Sequence, residues 1–282
     1  MDPRAWRRFR KNKGAITGGV LVVLVSATAF LGPLVAPHDP DEQFENGLRV
    51  VDGSPVGPSA QFPLGADQLG RDFLSRLLHG GSVSMQVAFF ATALAVFLGM
   101  LVGITSGYFR GMPDSLAMRG VDLLNSLPFL LIVIAINRVI DSPALWTLYL
   151  LLGFLSWTTL ARITRSKTMQ VSELEFVQAA RALGMSEARI VLRHVLPNVA
   201  SPAIVIGTTL VAQMIIAESA MSFLGLGVRP PAASWGTMLS DGQGMMTTSP
   251  WLVAWPAALI VAAVFGFNLL GEGLRDAFDA KA

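Results

Sequence analysis

The chain has 282 residues, of which 52% are hydrophobic and only 14% are charged, with 21 basic and 19 acidic residues in near balance. Soluble domains carry about 25% charged residues, and a mean hydropathy of +0.56 is too high for a surface that faces water. The composition, which includes no cysteine, therefore excludes an ordinary cytosolic enzyme, a disordered chain, a nucleic-acid-binding protein and any thiolate zinc site.

Six windows are long and apolar enough to cross a hydrocarbon core, which takes about 20 residues of helix. They lie at 15–35, 84–108, 121–140, 145–161, 202–223 and 251–270. The sequence therefore predicts an all-α membrane protein with six transmembrane helices. The predicted domains are a basic N-terminus with the first transmembrane helix (1–36), an external loop (37–83) and a five-helix core (84–282).

The first window has an alternative interpretation as a cleavable signal peptide. A basic cluster precedes it, and Ala27, Thr28 and Ala29 resemble a cleavage site. Against this interpretation, the apolar run continues to Val35, which is long for the hydrophobic part of a signal peptide. The residues alone leave both interpretations open.

Basic residues are distributed unevenly among the segments between the windows. If the N-terminus lies in the cytoplasm, sixteen of the 21 lie on the cytoplasmic side, where Lys and Arg are retained. They are Arg4, Arg7, Arg8, Arg10, Lys11, Lys13, Arg110, Arg119, Arg162, Arg165, Lys167, Arg181, Arg189, Arg193, Arg275 and Lys281. The other five lie on the external side and include Arg138, at the outer end of the third window. The external side also holds nine acidic residues, which include Asp141. This bias predicts that both termini are cytoplasmic.

The external loop 37–83 ends in a segment whose apolar residues share one helical face. Leu69, Phe73 and Leu77 recur at i, i+4 and i+8, so a short amphipathic helix over 68–78 is predicted at the outer interface.

Small and polar residues within the windows predict helix packing. Gly99, Gly103 and Gly107 repeat every four residues and allow another helix to approach closely. Asp122 and Asn125 are i, i+3 neighbours, which we expect to bond each other or an adjacent helix.

Glu218 is an acidic residue within the fifth window, near its outer end. Met214, Glu218, Met221 and Ser222 share one helix face, and acidic residues within a membrane mark functional sites. This face is therefore a candidate pathway or gate. The alternative, that Glu218 bonds a neighbouring helix or a backbone amide and stays fixed, is equally open.

The cytoplasmic segment 162–201 is much longer than a connection between two spans needs to be. Its pattern predicts one helix over 164–183 with Gly184 as the C-cap, and a second over 186–195 that starts at Ser186. An apolar stripe in the first helix consists of Phe176, Ala179, Ala180 and Leu183. Such a stripe favours docking into a partner's groove; the alternative is that it packs on the protein's own inner surface.

The sequence patterns of catalytic and metal sites are absent. No Gly-x-x-x-x-Gly-Lys-Ser/Thr loop surrounds any of the four lysines, so a P-loop cannot bind ATP here. The three histidines are isolated from one another and lie outside the windows, which argues against a zinc site. The chain is expected to have neither enzyme activity nor a metal or cofactor of its own.

The cytoplasmic segment resembles the EAA loop of ATP-binding-cassette importer permeases. In that loop a Glu-Ala-Ala triplet is followed by a glycine and, after a longer gap, by Leu-Pro. The matching residues here are Gln178, Ala179, Ala180, Gly184, Leu196 and Pro197. Gln178 departs from the family's glutamate, although Glu175 lies one turn earlier.

Two further motifs are more specific. Residues 217–236 contain Ala-Glu-Ser-Ala-Met-Ser-Phe-Leu-Gly-Leu-Gly, then Pro-Pro and Ser-Trp-Gly, and residues 63–76 contain Pro-Leu-Gly-Ala-Asp-Gln-Leu-Gly-Arg-Asp, then Ser-Arg. Both resemble the second, or "C" type, permease subunit of dipeptide, oligopeptide and nickel importers. The resemblance covers nearly the whole chain, including the first window.

This resemblance implies a type I importer permease fold, with six transmembrane helices and both termini in the cytoplasm. It implies a multi-pass protein in the lipid of the bacterial cytoplasmic (inner) membrane. The implied partners are a homologous permease subunit, two cytoplasmic P-loop ATPase subunits and an external substrate-binding protein, with no nucleic acid. ATP and Mg would be bound by the ATPase subunits, and the EAA-like residues would couple this chain to them.

The implied cargo is a dipeptide or oligopeptide, with nickel or another small solute of the same family as the alternative. An ion-driven secondary transporter would explain the spans and Glu218, but it leaves the long cytoplasmic segment unexplained. An enzyme within the membrane is disfavoured because no histidine lies in any window.

Overall fold

The computed structural model describes residues 3–140 and 145–278, without the side chains of residues 3–5 and of Arg138. Four of the charges assigned above, on Arg4, Arg138, Asp141 and Lys281, therefore lie outside the described side chains.

Helices account for most of the described chain. In order they are α1 Pro3–Phe9, α2 Lys13–Val35, α3 Phe73–Phe109, α4 Gly111–Ser126, α5 Phe129–Val139, α6 Leu145–Ser172, α7 Glu175–Ala182, α8 Glu187–Ile190, α9 Leu196–Phe223, α10 Trp235–Gly242 and α11 Trp251–Phe278. A π-helical turn, Val191–Val195, joins α8 to α9, and short 3-10 turns occupy Glu45–Gly47 and Gln243–Met245. Between residues 3 and 140 and between 145 and 278 there are isolated β-bridges but no strand, which confirms the all-α class.

Within residues 3–140 and 145–278, four helical stretches are long and apolar enough to cross a membrane: α2, α3, the continuous stretch Glu187–Phe223, and α11. The pair α4 and α5 makes a fifth if its two helices, bent by 79°, count as one span. The sequence predicted six. The difference lies at α6, which covers the predicted window 145–161 but is less apolar because Thr158, Thr159 and Arg162 fall within it or beside it.

The described chain divides into two compact units. The described residues of the first unit are 3–15, 90–140, 145–210 and 271–278, and those of the second are 16–89 and 211–270. Helices α2, α3, α9 and α11 contribute residues to both units.

In the second unit, glycines allow α2 to pack closely on α11 and α3. A Cβ added to Gly18 of α2 would lie 2.6 Å from the Leu270 backbone nitrogen, and one added to Gly32 would lie 2.6 Å from the Leu78 side chain. A larger residue at either position would force the helices apart, so α2 lies close to the backbone of α11 and to the Leu78 side chain of α3.

The predicted short helix over 68–78 is wrong. Gly70 has a φ of +74°, which is not a helical conformation, so no regular helix can run through it. The helix instead begins at Phe73 and continues to Phe109. Asp72 fixes that start, because its Oδ2 accepts hydrogen bonds from the Ser75 backbone N–H at 2.9 Å and from the Ser75 hydroxyl at 2.5 Å.

Buried ion pairs hold the loop that precedes α3. Arg71 Nε donates to Asp67 Oδ2 at 2.6 Å, and Arg76 Nε lies 3.3 Å from the same oxygen. Arg76 Nη1 also donates to the Pro40 carbonyl and to Asp41 Oδ1, each at 3.0 Å. One buried guanidinium thus connects two distant parts of the loop to the start of α3.

In the first unit, the glycine ridge of α3 packs against α6, as predicted. A Cβ on Gly99 would lie 2.8 Å from Leu160 Cβ, and one on Gly103 would lie 2.6 Å from Thr164 Cβ. The backbone of α6 can approach this closely only because the ridge has no side chains.

The predicted polar pair in α4 also bonds the adjacent helix. The Thr158 hydroxyl donates to Asn125 Oδ1 at 2.9 Å, and Arg162 Nη2 donates to Asp122 Oδ1 at 2.6 Å. Both bonds join α4 to α6, which confirms the packing interpretation of Asp122 and Asn125.

Candidate functional site

The EAA-like residues lie in a segment that consists of α7, α8, the connections around them and the first two residues of α9 (173–197), hereafter the α7–α8 segment. The sequence predicted one helix over 164–183, but α6 ends at Ser172 and α7 begins at Glu175. No glycine or proline marks this break, so helical periodicity could not reveal it. The break is supported by Gln178, whose Nε2 donates to the Ser172 carbonyl at 3.1 Å and satisfies an acceptor at the end of α6.

Gly184 ends α7 as predicted. Its φ is +76°, and its backbone N–H donates to the Arg181 carbonyl at 3.0 Å, while that of Met185 donates to the Ala180 carbonyl at 3.1 Å. These two bonds form a Schellman motif, in which a glycine accommodates the left-handed conformation at little cost. Ser186 occupies the predicted N-cap position of α8, although its side chain makes no capping hydrogen bond.

The predicted end of the second helix before Leu196-Pro197 is wrong. The helix continues through the π-helical turn Val191–Val195 directly into α9. Pro197 stands in the first turn of α9, where the missing N–H would have no helical partner in an ordinary helix start. The π-helical turn widens the backbone just before the proline, so the chain passes it without ending.

One face of the α7–α8 segment packs on the protein itself. Val177, Ala180 and Ile190 are buried in a cluster with Ile104 and Tyr108 of α3. Further members are Val171, Val195 and Val199, with Met100, Met185, Val191 and Leu196 half-buried against them. This face therefore packs on the protein's own inner surface, which was the alternative to docking in a partner's groove.

The opposite face is apolar and exposed. Phe176 is 43% exposed, Leu183 is 86% exposed and Leu192 is 65% exposed; Ala179 is exposed as well. The predicted stripe is thus divided, because Ala180 turns inward with Val177 while its other three members turn outward. Gln178 and Pro197 are also exposed.

A polar cluster that the sequence did not predict joins this segment to α3. The Tyr108 hydroxyl donates to Glu187 Oε2, and Arg181 Nη2 donates to the Tyr108 oxygen at 3.1 Å. The hydrogen bond with Tyr108 raises the pKa of Arg181 above its ordinary value. Tyr108 and Glu187 are 79 positions apart, and no local pattern relates them.

The second candidate site, the Glu218 face of α9, is buried within its own unit. Met214, Glu218, Met221 and Ser222 are each 4% exposed or less. Glu218 accepts hydrogen bonds from the Ser84 hydroxyl at 2.8 Å and from the Ser222 hydroxyl at 2.7 Å.

The two serines extend this network to the segment that follows α9. Ser84 Oγ accepts from the Trp235 backbone N–H at 3.1 Å, and Ser222 Oγ accepts from the Val228 backbone N–H at 3.2 Å. These contacts are those of a fixed carboxylate bonded to a neighbouring helix. The role of this face as a pathway or gate stays a prediction.

Two family models match the chain. Residues 68–282 match the family described as "Binding-protein-dependent transport system inner membrane component". Residues 4–49 match the "N-terminal TM domain of oligopeptide transport permease C". The first window falls within the second match, which supports its interpretation as a transmembrane helix.

Curated relatives match along almost their whole length. The di/tripeptide transport system permease protein DppC of Pseudomonas aeruginosa is 36% identical over 98% of this chain and 91% of its own length. The oligopeptide transport system permease protein OppC of Escherichia coli K12 is 39% identical over 98% and 90%. The glutathione transport system permease protein GsiD of Escherichia coli UTI89 is 37% identical over 98% and 89%.

The family matches cover more than half of the chain, and they include the α7–α8 segment and the Glu218 face. They confirm the resemblance that the three motifs indicated. The chain therefore belongs to the family of inner membrane components of binding-protein-dependent transport systems, whose relatives named above are permease subunits.

Proposed function

We propose that the chain is the second transmembrane permease subunit of an ATP-binding-cassette importer for dipeptides or oligopeptides. It forms the translocation pathway with a homologous permease and takes its driving force from separate ATPase subunits. The observation that carries this proposal is an exposed apolar face on the α7–α8 segment. The same segment holds the EAA-like residues, and the chain belongs to a permease family. The names of the relatives, which transport dipeptides, oligopeptides and glutathione, support a peptide as the cargo.

The topology follows from the distribution of charge. We place six spans in the bacterial inner membrane, with α6 and the bent pair α4 and α5 each crossing it, and with both termini in the cytoplasm. The excess of Lys and Arg in the proposed cytoplasmic segments supports this orientation. The α7–α8 segment then lies on the cytoplasmic side, where ATPase subunits can reach it.

The exposed face of the α7–α8 segment is suited to a groove in an ATPase subunit. Burying a side chain such as Phe176 or Leu183 stabilises an interface by about 1.5–3 kcal/mol. Ala179 lies beside these two side chains and offers little steric hindrance to a groove. Ala180 and Leu196 secure the inner face, and Gln178, Gly184 and Pro197 shape the backbone of the segment.

Transport proceeds by alternating access in this proposal. ATP and Mg bind to the two ATPase subunits, whose closure draws the coupling segments of both permeases together and opens the pathway to the outside. An external substrate-binding protein delivers the peptide, and hydrolysis restores the inward-facing state. The permease itself binds neither ATP nor Mg and catalyses no reaction.

Leu183→Asp tests the coupling surface. The charged side chain is tolerated in water but not in an apolar groove, so the affinity for the ATPase subunits is expected to fall by about 10–100-fold. The measurement is co-purification of the ATPase subunits with the permease from detergent-solubilised membranes. Val51→Asp is the matched control, because Val51, like Leu183, is a largely exposed aliphatic residue but lies in the loop before α3. Equal co-purification of both variants would contradict the assignment.

Uptake by the reconstituted importer tests the cargo. Proteoliposomes with both permeases, the ATPase subunits and the binding protein receive dialanine, tetra-alanine, glutathione or Ni²⁺ on the binding-protein side. We expect ATP-dependent, vanadate-sensitive uptake of a peptide. Uptake of Ni²⁺ alone would contradict the peptide cargo, and uptake driven by an ion gradient without ATP would contradict an ATP-driven importer.

A further inference from the structure

Tyr108 stands in the last turn of α3 and contacts two elements of the α7–α8 segment. Its ring is 8% exposed and belongs to the buried cluster. Its hydroxyl donates to Glu187 at the start of α8 and accepts from Arg181 of α7. Arg181 also lies over the ring, with its Cζ 5.7 Å from the ring centroid, and its Nε lies 3.4 Å from Glu187 Oε1. The side chains of Tyr108 (α3), Arg181 (α7) and Glu187 (α8) thus form one cluster in which each contacts the other two.

Helices α7 and α3 also share an apolar cluster. Val177 and Ala180 of α7 are buried in the same cluster as Ile104 and Tyr108 of α3. Apolar contact is not directional and permits sliding and rotation, whereas hydrogen bonds weaken steeply away from linear geometry. The hydroxyl of Tyr108 is therefore suited to fix the rotation of α7 on the end of α3.

The nearby ion pair between Arg110 and Glu173 does not replace this link. Its two side chains are 46% and 61% exposed, and exposed ion pairs contribute about 0–1 kcal/mol. Gln178 makes a hydrogen bond as well, but it does so to Ser172 at the end of α6. In the Tyr108 cluster, by contrast, the tyrosine is buried, although Arg181 and Glu187 are 42% and 50% exposed. Within the described residues, the Tyr108 hydroxyl is therefore the buried end of the polar link between α3 and α7.

We propose that Tyr108 is a positioning residue for transport. Through its hydroxyl, it keeps α7 and the C-terminal end of α3 together as one body. When an ATPase subunit displaces the α7–α8 segment, α3 then moves by the same amount. This inference rests on the proposed coupling function of α7. Without the hydroxyl, the ATPase subunit would still dock, but α7 would shift on α3.

Tyr108→Phe tests this, because it keeps the ring in the apolar cluster and removes only the hydroxyl. The chain contains one other tyrosine, Tyr149, whose ring stacks on Phe90 with centroids 5.2 Å apart. Tyr149→Phe is therefore the matched control. Since the chain has no cysteine, spin labels can be attached to single cysteines that replace Thr105 of α3 and Ala182 of α7, both of which are exposed.

Distances between the two labels are measured by pulsed electron paramagnetic resonance. The assembled importer, with cysteine-free partner subunits in lipid nanodiscs, is compared without nucleotide and with ATP and vanadate. Wild type and Tyr149→Phe should give one narrow distribution that is the same in both states. In Tyr108→Phe, the fraction outside that distribution should rise about tenfold with ATP and vanadate. Glu187→Gln, which keeps an acceptor for the hydroxyl, should remain narrow.

The outcomes separate this inference from the proposed function. If the wild-type chain fails to bind ATPase subunits, the proposed coupling function is wrong. If it binds them and Tyr108→Phe stays as narrow as Tyr149→Phe in both states, the positioning role of Tyr108 is wrong while the coupling function stands. Should Tyr108→Phe fail to assemble, Glu187→Ala, which leaves the aromatic packing intact, decides by the same comparison.

Discussion

The side-chain amide of Gln178 donates to the backbone carbonyl of Ser172 at 3.1 Å and thereby closes the C-terminal end of α6. A glutamate at this position, as in the EAA pattern, would be ionised at neutral pH and could not donate. The departure from the pattern therefore has a specific structural effect in this chain, because it provides a donor at the break between α6 and α7.

Gln178→Glu should loosen this break. A carboxylate near the Ser172 carbonyl loses the hydrogen bond, which is worth about 0.5–1.5 kcal/mol, and adds repulsion between two acceptors. Amide hydrogen exchange in residues 170–176 should accelerate by several-fold while the rest of the chain is unchanged. Gln170→Glu, on the exposed surface of α6, is the matched control, and equal exchange in the two variants would contradict a role for the Gln178 amide.

Glu218 variants distinguish a fixed carboxylate from a pathway residue. Glu218→Ala leaves the hydroxyls of Ser84 and Ser222 without their acceptor, and each unsatisfied buried group costs about 1–3 kcal/mol. Its melting temperature in detergent should therefore fall by several degrees. Glu218→Gln keeps one acceptor oxygen and should lose less.

The opposite pattern would favour a pathway or gate. In that case Glu218→Gln would melt like the wild type while its transport rate changed strongly. Measuring melting temperature and ATP-dependent peptide uptake on the same two variants separates these interpretations.

Gly103→Val should force α3 and α6 apart. Its Cβ alone would lie 2.6 Å from Thr164 Cβ and 2.7 Å from the Ala161 carbonyl oxygen, and overpacking of this kind costs about 1–3 kcal/mol. Gly120→Ala is the control, because no atom lies within 4 Å of its added Cβ, and in a helix this exchange is stabilising by about 0.5–1 kcal/mol. Thermal denaturation in detergent should rank the two variants on opposite sides of the wild type.

Arg76→Met should release the loop before α3. The change removes the donor to the Pro40 carbonyl and to Asp41, and it leaves Asp67 with one guanidinium fewer. Breaking a buried pair in this way costs about 3–5 kcal/mol. Protease cleavage within residues 37–72 should become faster, whereas Arg49→Met, at an exposed position of the same loop, should be cleaved like the wild type.

Local patterns predicted the features that depend on neighbouring residues along the chain. The periodicity of Gly99, Gly103 and Gly107 predicted a close helix contact, and the position of Gly184 predicted a C-cap, because ridges and caps are set by residues within one or two turns. The short helix over 68–78 was predicted wrongly for the same reason. Its apolar spacing was real, but the backbone of Gly70 and the cap at Asp72 determine where α3 begins.

The sequence by itself determined the helical class, the apolar stretches and the family, since hydropathy, helical spacing and motif order are properties of the linear chain. Only the tertiary structure decided that Ala180 turns inward while Leu183 stays exposed, because this depends on which side of α7 meets α3. It likewise decided that Glu218 accepts a hydrogen bond from the Ser84 hydroxyl, 134 positions away, and that the Tyr108 hydroxyl donates a hydrogen bond to Glu187. Such contacts arise when helices distant in sequence pack together, and no pattern within either helix specifies its partner.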